Sequence, residues 1–375
     1  MTPGQWLVDP AVAYLNHGGF GALPRPVADA AAALRAELEG NPTDLLMRQW
    51  QGRVDAVRAR VAGLLGAPPT DLVFVPNATA GTATVFASLD LRPGDEVVTT
   101  DHRYPAVASQ LDVAAARRGV RVVETRVPVD VTSAGEVVAA VMAGVTGRTR
   151  LLAIDHIASP TGMVFPVADL VAASHAAGVP VLVDAAHAPG QVDVNLPAIG
   201  ADFWVGNLHK WVCSPRACAV LSAAPAWHDQ VRPLVASNCY ADGFQPAFDW
   251  TGTADPIPML AIPAALDFWG ELGWDQVRRT QHRLATEGAQ HVAAVLGTRV
   301  AVRDEFTAAM RLIELPRPLS VEQGLRLAGQ LTTEHAVTAH VTQLAGTSYV
   351  RVCGQLYNVP DDYARLGQAL KELLA

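Results

Sequence analysis

The sequence predicts an α/β protein with a mostly parallel sheet covered by helices on both faces, followed by a smaller α+β unit. Two observations carry this. Between Leu72 and Leu221, short β-branched runs alternate with Ala-rich stretches of helical periodicity, the pattern of repeated strand-helix-strand units. At 375 residues the chain is long for one ordinary domain of about 100 to 150 residues, so two are expected. The division falls near Asp255: an N-terminal arm and large domain over residues 1–254, and a small C-terminal domain over residues 255–375.

In chain order, Pro26 to Leu38 and Thr43 to Leu65 read as helices, with apolar residues recurring at three and four and no internal proline. Gly66, Pro68 and Pro69 then break the chain. Strands are expected at Leu72–Val75, Glu96–Thr100, Val120–Val127, Leu151–Ile157, Val179–Asp184, Phe203–Gly206 and Cys218–Leu221. A proline-rich and aromatic stretch from Pro233 to Pro263 ends the rhythm. In such sheets ligands bind beyond the carboxyl ends of the strands, so polar residues just after a strand carry the most functional information.

Half of the residues are hydrophobic, 17% are charged, and the formal net charge is −8. With no run of like charge, nucleic acid and anionic membrane surfaces are poor partners. Residues Leu72 to Leu89 are uncharged for eighteen positions, but Pro76, Asn77, Gly81 and several hydroxyl residues mark a strand, a turn and a helix rather than a membrane span. No signal peptide is expected. Cys213, Cys218, Cys239 and Cys353 are too irregularly spaced for a disulfide framework and form no C-x-x-C zinc pair. Reduced thiols, a cytoplasmic location and no bound metal follow. Among 28 basic residues only Lys210 and Lys371 are lysines.

Lys210 comes directly after an apolar strand, in Asp202-Phe-Trp-Val-Gly-Asn207-Leu-His209-Lys210-Trp211. Partial burial there lowers a lysine pKa, and a free lysine amine is what forms Schiff bases with carbonyl compounds. Arginine, used almost everywhere else in this chain, cannot do so. Val179-Pro-Val-Leu-Val-Asp184-Ala-Ala-His187 ends a strand in a carboxylate that either caps the next helix or holds a pyridinium proton. Val73-Phe-Val-Pro-Asn77-Ala78-Thr79 supplies a helix start with small residues, suited to a phosphate. Neither G-x-x-x-x-G-K-[ST] nor a G-x-G-x-x-G after the first strand is present, which disfavours the common nucleotide sites. After another strand, His102 or Tyr104 offers an aromatic face for a planar ring.

Together these stretches resemble the class V aminotransferase family of pyridoxal-phosphate enzymes, fold type I, and most of all its isopenicillin N epimerase branch. Further matches are Tyr14-Leu-Asn16-His17-Gly-Gly-Phe-Gly21, Asp155-His-Ile-Ala-Ser159-Pro-Thr-Gly162, Trp250-Thr251-Gly-Thr253 and Arg351-Val-Cys-Gly-Gln-Leu-Tyr357-Asn358. The resemblance implies that Lys210 is the Schiff-base lysine and Asp184 the partner of the pyridine nitrogen. His187 and Ser159 would lie near the ring hydroxyl, with Tyr104 stacked on the ring. Ala78, Thr79, Asn207 and His209 would contact the phosphate. Thr251 and Thr253 would reach it from a neighbouring subunit of a homodimer. Arg351 would clamp the substrate α-carboxylate, beside Asn16 and His17.

The family pattern usually has glycine where Ala217 and Cys218 stand. The cysteine desulfurase branch needs a nucleophilic cysteine shortly before the arginine, and Glu334 to Val350 holds none, so Cys353 is read as a packing residue. The implied reaction begins with an external Schiff base to an amino acid and Cα deprotonation by Lys210. Epimerisation leads, with His17 or Tyr104 as the opposite-face acid. A carbon-sulfur β-lyase acting on a cysteine-derived thioether comes next, then an aminotransferase. A non-catalytic pyridoxal-phosphate-binding homologue is the remaining alternative.

Overall fold

In a computed structural model, which describes residues 3–375, seven strands form the central sheet. Across it they run Leu72–Val75, Ala219–Ala223, Phe203–Asn207, Val181–Asp184, Thr149–Asp155, Glu96–Thr100 and Arg121–Thr125. Ala219–Ala223 is antiparallel to both neighbours and every other pairing is parallel. The antiparallel strand is a hairpin-like return from Asn207 through the Lys210 loop, which apolar content alone does not reveal. The carboxyl ends of the parallel strands, at Val75, Thr100, Asp155, Asp184 and Asn207, therefore share one edge of the sheet.

Helices cover both faces because parallel strands must be joined by crossovers. Ala78–Ser88 starts where Asn77 caps it, the Asn77 side chain accepting the Ala80 N–H at 2.9 Å. Arg25–Gly40 is one helix, whereas the second expected helix has two parts, a π turn at Asp44–Gln49 and an α-helix at Trp50–Leu65. Against this pair pack Ile257–Leu260 and Ile262–Leu272, which lie C-terminal of Asp255. Trp269 joins that contact to the Lys210 loop, its indole N–H donating to the Val212 carbonyl at 2.8 Å.

The C-terminal layer is an antiparallel sheet in the order His340–Leu344, Thr347–Cys353, Met310–Glu314. Trp274–Leu296 and Pro360–Leu373 pack closely on each other, and Trp274–Leu296 lies against Met310–Glu314. Gly288 permits this approach, since a Cβ there would sit 2.3 Å from the Tyr363 ring. Ala13–Tyr14 pairs in parallel with Val337–Thr338. That pairing ties the N-terminal arm to the C-terminal layer and brings the Asn16–Gly21 segment back over the edge of the large sheet. Among the described residues no helix is long and apolar enough to cross a membrane.

Candidate active site

A cavity of about 260 Å³ opens at that edge, lined by Gly19, Phe20, Asn77, Ala78, Thr79, Tyr104, Asp155, Ser159, Asp184, Ala186, His187, Asn207, His209 and Lys210. Every parallel strand end except that of Arg121–Thr125 sends a residue or its following loop into it. Nine residues expected from the sequence are brought together here: Ala78, Thr79, Tyr104, Ser159, Asp184, His187, Asn207, His209 and Lys210.

The floor is made of buried polar side chains. Lys210 is buried, with its amine 3.0 Å from His187 Nε2. Burial, helped by the nearby Arg351 guanidinium, lowers its pKa to about 8, although Asp184 pulls the other way. The Trp211 indole N–H points at His187 Nδ1 from 3.4 Å. With the indole N–H directed at Nδ1, a neutral His187 that carries its proton on Nε2 can donate it to the lysine nitrogen whenever the amine is the free base. Burial and the neighbouring Lys210 hold His187 well below the ordinary histidine range, so it stays neutral. Asp184 is buried at its strand end and accepts the Ala186 N–H at 3.0 Å. It caps the following turn and still faces the cavity.

The Lys210 loop keeps this geometry at a conformational cost. Gly21, at φ +70°, crosses so near the loop that a Cβ would lie 2.1 Å from the His209 carbonyl oxygen. Cys213 and Ala217 both take positive φ, +61° and +71°, a region unfavourable for side chains other than glycine. The alanine that stands where the family has glycine therefore adopts a glycine-like backbone.

Above the floor, the Ala78 N–H already donates to Asn207 Oδ1 at 2.9 Å. The Thr79 N–H and hydroxyl are left as donors at the helix start. His209 Nδ1 is 3.2 Å from the Cys218 carbonyl, which fixes the ring and directs Nε2 away from that contact; burial lowers its pKa to about 4. Of the two aromatic candidates, Tyr104 lines the cavity and is 41% exposed. His102 does not: it is buried between Thr161 Oγ1 at 3.0 Å and the Val127 carbonyl at 2.7 Å.

Arg351 lies behind the wall. It is buried, donates to the Ser159 carbonyl and hydroxyl and to Asn16 Oδ1, and leaves its Nε without a partner. His17 is elsewhere, a correction to its placement beside the substrate. It is completely buried, with Nδ1 3.0 Å from the Tyr357 hydroxyl and Nε2 3.0 Å from the Lys210 carbonyl, and burial lowers its pKa to about 3. It braces the backbone of the lysine and cannot reach the cavity. Thr251 and Thr253 are exposed and do not line the cavity of their own chain. Cys353 is buried, accepts the Gly18 N–H at 3.3 Å, and burial raises its thiol pKa, as suits packing. Five lining residues were not foreseen as site residues: Gly19, Phe20, which is 66% exposed at the mouth, Asn77, Asp155 and Ala186. Asp155 ends a buried strand as Asp184 does, and the same reading could have found it.

The donor set suits pyridoxal phosphate: a buried amine of lowered pKa, an acceptor carboxylate at the end of the adjacent parallel strand, and unengaged Thr79 donors at a helix start. The Aminotransferase class-V family model matches residues 13–315. The chain belongs to that family. It is accordingly an enzyme of a pyridoxal-phosphate-dependent family, with the type I fold. Isopenicillin N epimerase of Amycolatopsis lactamdurans is 33% identical over 389 residues, 98% of this chain and 97% of the relative. An L-cysteine desulfhydrase of Arabidopsis thaliana is 30% identical over 97% of this chain and 88% of its own. A solved C-DES variant with glycine covalently linked to its PLP cofactor shares the fold, with TM-score 0.83, 20% identity and 96% of both chains covered.

Proposed function

We propose that the protein deprotonates the α-carbon of an amino acid and returns the proton to the opposite face, as an amino-acid epimerase. The observation that carries the reading is the floor: Lys210, buried with its pKa lowered to about 8, beside neutral His187 and in one cavity with Asp184. Pyridoxal phosphate bound there supplies the electron sink that makes an α-proton removable. Lys210 takes that proton, Asp184 holds a proton at the pyridine nitrogen, and Thr79, Asn207 and His209 receive the phosphate. Arg351, held behind the cavity wall by Asn16 and Ser159, is assigned to the substrate α-carboxylate, for which the forked donors of a guanidinium are suited once they turn from those partners. With His17 sealed away, Tyr104 is the acid that serves the opposite face.

A carbon-sulfur β-lyase is the second reading. The engagement of both His17 ring nitrogens favours it, because β-elimination needs no second acid. Thr251 and Thr253, exposed and outside their own cavity, fit a homodimer in which each chain completes the other's phosphate site. Four free cysteines, three of them buried, fit a reducing cytoplasm. The deciding experiment supplies amino acids and cysteine thioethers in heavy water and follows product mass and configuration. Inverted, α-deuterated amino acid supports the epimerase, and Tyr104→Phe should then keep deuterium exchange and lose inversion. Keto acid with released thiol would replace this reading with the lyase, and keto acid with aminated cofactor with a transaminase.

A further inference from the structure

Asp155 and Asp184 are register partners on adjacent parallel strands, so their side chains leave the same face about 4.8 Å apart along the sheet. Both are buried and both line the cavity. Asp184 accepts the Ala186 N–H, whereas among the described residues no group donates to Asp155. Beneath the pair lies a second cavity of about 10 Å³, room for roughly one water, bounded by Thr82, Thr99, Arg103, Asp155 and Asp184 among others. Thr99 Oγ1 and Arg103 Nε are buried around this pair and have no partner.

We propose that Asp155 is a positioning residue that shares a single proton with Asp184 and thereby sets how firmly Asp184 holds a proton on the cofactor ring. The second clause rests on the pyridoxal-phosphate reading above, and the first does not. Asp155 is the neutral partner, donating its O–H to the Asp184 carboxylate, because Asp184 already has a backbone donor that favours its anion. A water in the lower cavity would accept from Arg103 Nε and link Thr99 to the far side of the Asp155 carboxyl. Burial and the charge of Asp184 push Asp155 well above the usual carboxylate range; burial also raises Asp184, against the pull of the Ala186 N–H and Lys210. Two carboxyls this close titrate as a pair and resist losing the last proton. The other titratable groups facing the pair are Arg103 from the turn after Thr100, Lys210 from its loop and neutral His187.

The sign follows from linkage. A carboxyl whose folded pKa exceeds its unfolded value of about 4 costs no stability below that pH and progressively more above it. Cofactor-free wild type should therefore lose melting temperature relative to Asp155→Asn as pH rises from 4 to 8, the gap widening by several degrees. A gap that stays constant over that range overturns the shared proton; if Asp155→Asn does not fold, Asp155→Ser is read in the same way. In the loaded enzyme, Asp155→Asn leaves Asp184 with a weaker donor and more basic. The pH midpoint of bound-cofactor absorbance should rise by about one unit, and a midpoint that stays or falls overturns the tuning. Failure of the cofactor reading itself would appear separately, as wild type that takes up no pyridoxal phosphate.

Discussion

The floor of the cavity and its mouth are built differently. On the floor, Asp184, His187 and Lys210 are buried, stand at or just after strand ends, and are held by contacts from three separate segments, including His17 on the Lys210 carbonyl. At the mouth, Thr79, Tyr104 and Phe20 are exposed and have few partners, and the Thr251–Thr253 segment touches nothing in the cavity. The fold of one chain thus pre-sets the floor, while on the proposed reading the mouth takes its remaining contacts from a second chain. Variants should separate the two regions by the size and kind of their effect.

The largest effect belongs to the floor. Lys210→Ala removes the base, and a general base is worth roughly a hundredfold to ten-thousandfold in rate. Turnover should fall by that amount and the lysine-dependent cofactor absorbance should disappear. An unchanged spectrum would remove the central assignment. Arg351→Lys comes next. It keeps the charge but loses the forked donors, and a hydrogen bond to a charged group contributes about 1.5–3 kcal/mol. The apparent KM for α-carboxylate substrates should rise about tenfold to a hundredfold with cofactor affinity unchanged. Equal substrate affinity in variant and parent would count against the clamp.

Lysine titration tests whether the floor is poised before the cofactor arrives. With the amine pKa at about 8, the free base is a small minority at pH 7 and predominates at pH 9. The rate at which cofactor-free protein captures pyridoxal phosphate should climb roughly tenfold across that interval. A profile still rising steeply toward pH 10 would show a lysine that the cavity does not perturb.

The same contrast explains how much could be read from the sequence. The floor was legible because strands advertise themselves: Leu72–Val75 and Glu96–Thr100 fall where their β-branched runs end, and a carboxylate or lysine directly after such a run has one place to go. Strand order and direction were not legible, since they depend on which buried faces meet. Nothing local marks Ala219–Ala223 as antiparallel. His17 misled because its neighbours fit the motif while its ring is consumed by Tyr357, a residue 340 positions away. The π turn at Asp44–Gln49 is hidden for a related reason, since its periodicity stays close to that of the helix it interrupts.

At the mouth, effects should be smaller and shared between chains. Thr251→Ala with Thr253→Ala deletes two neutral donors of about 0.5–1.5 kcal/mol each, weakening cofactor binding on the order of tenfold. Mixing this double variant with Lys210→Ala is the sharper measurement. If the threonines act across a dimer, mixed dimers contain one intact site and regain activity. At limiting cofactor, mixtures no more active than the average of their components would return the threonines to their own chain or to no role.

The smallest effect concerns backbone strain and returns to the floor. Ala217 holds φ +71° in the Lys210 loop, at a cost of about 1–2 kcal/mol for an L-residue, whereas glycine there gives back about 0.5–1 kcal/mol through its freer unfolded chain. Ala217→Gly should therefore stabilise the cofactor-free protein by roughly 0.5–1 kcal/mol in denaturant unfolding. Ala345, at φ +49° in the hairpin turn before Gly346, offers the same exchange far from the cavity. If the loop's strain serves only to place Lys210, both substitutions should stabilise alike, and only Ala217→Gly should alter the pH at which the amine captures cofactor. Stabilisation by Ala345→Gly alone would mean that the contacts of Trp269 and Gly21, rather than the dihedral at Ala217, set the shape of the lysine loop.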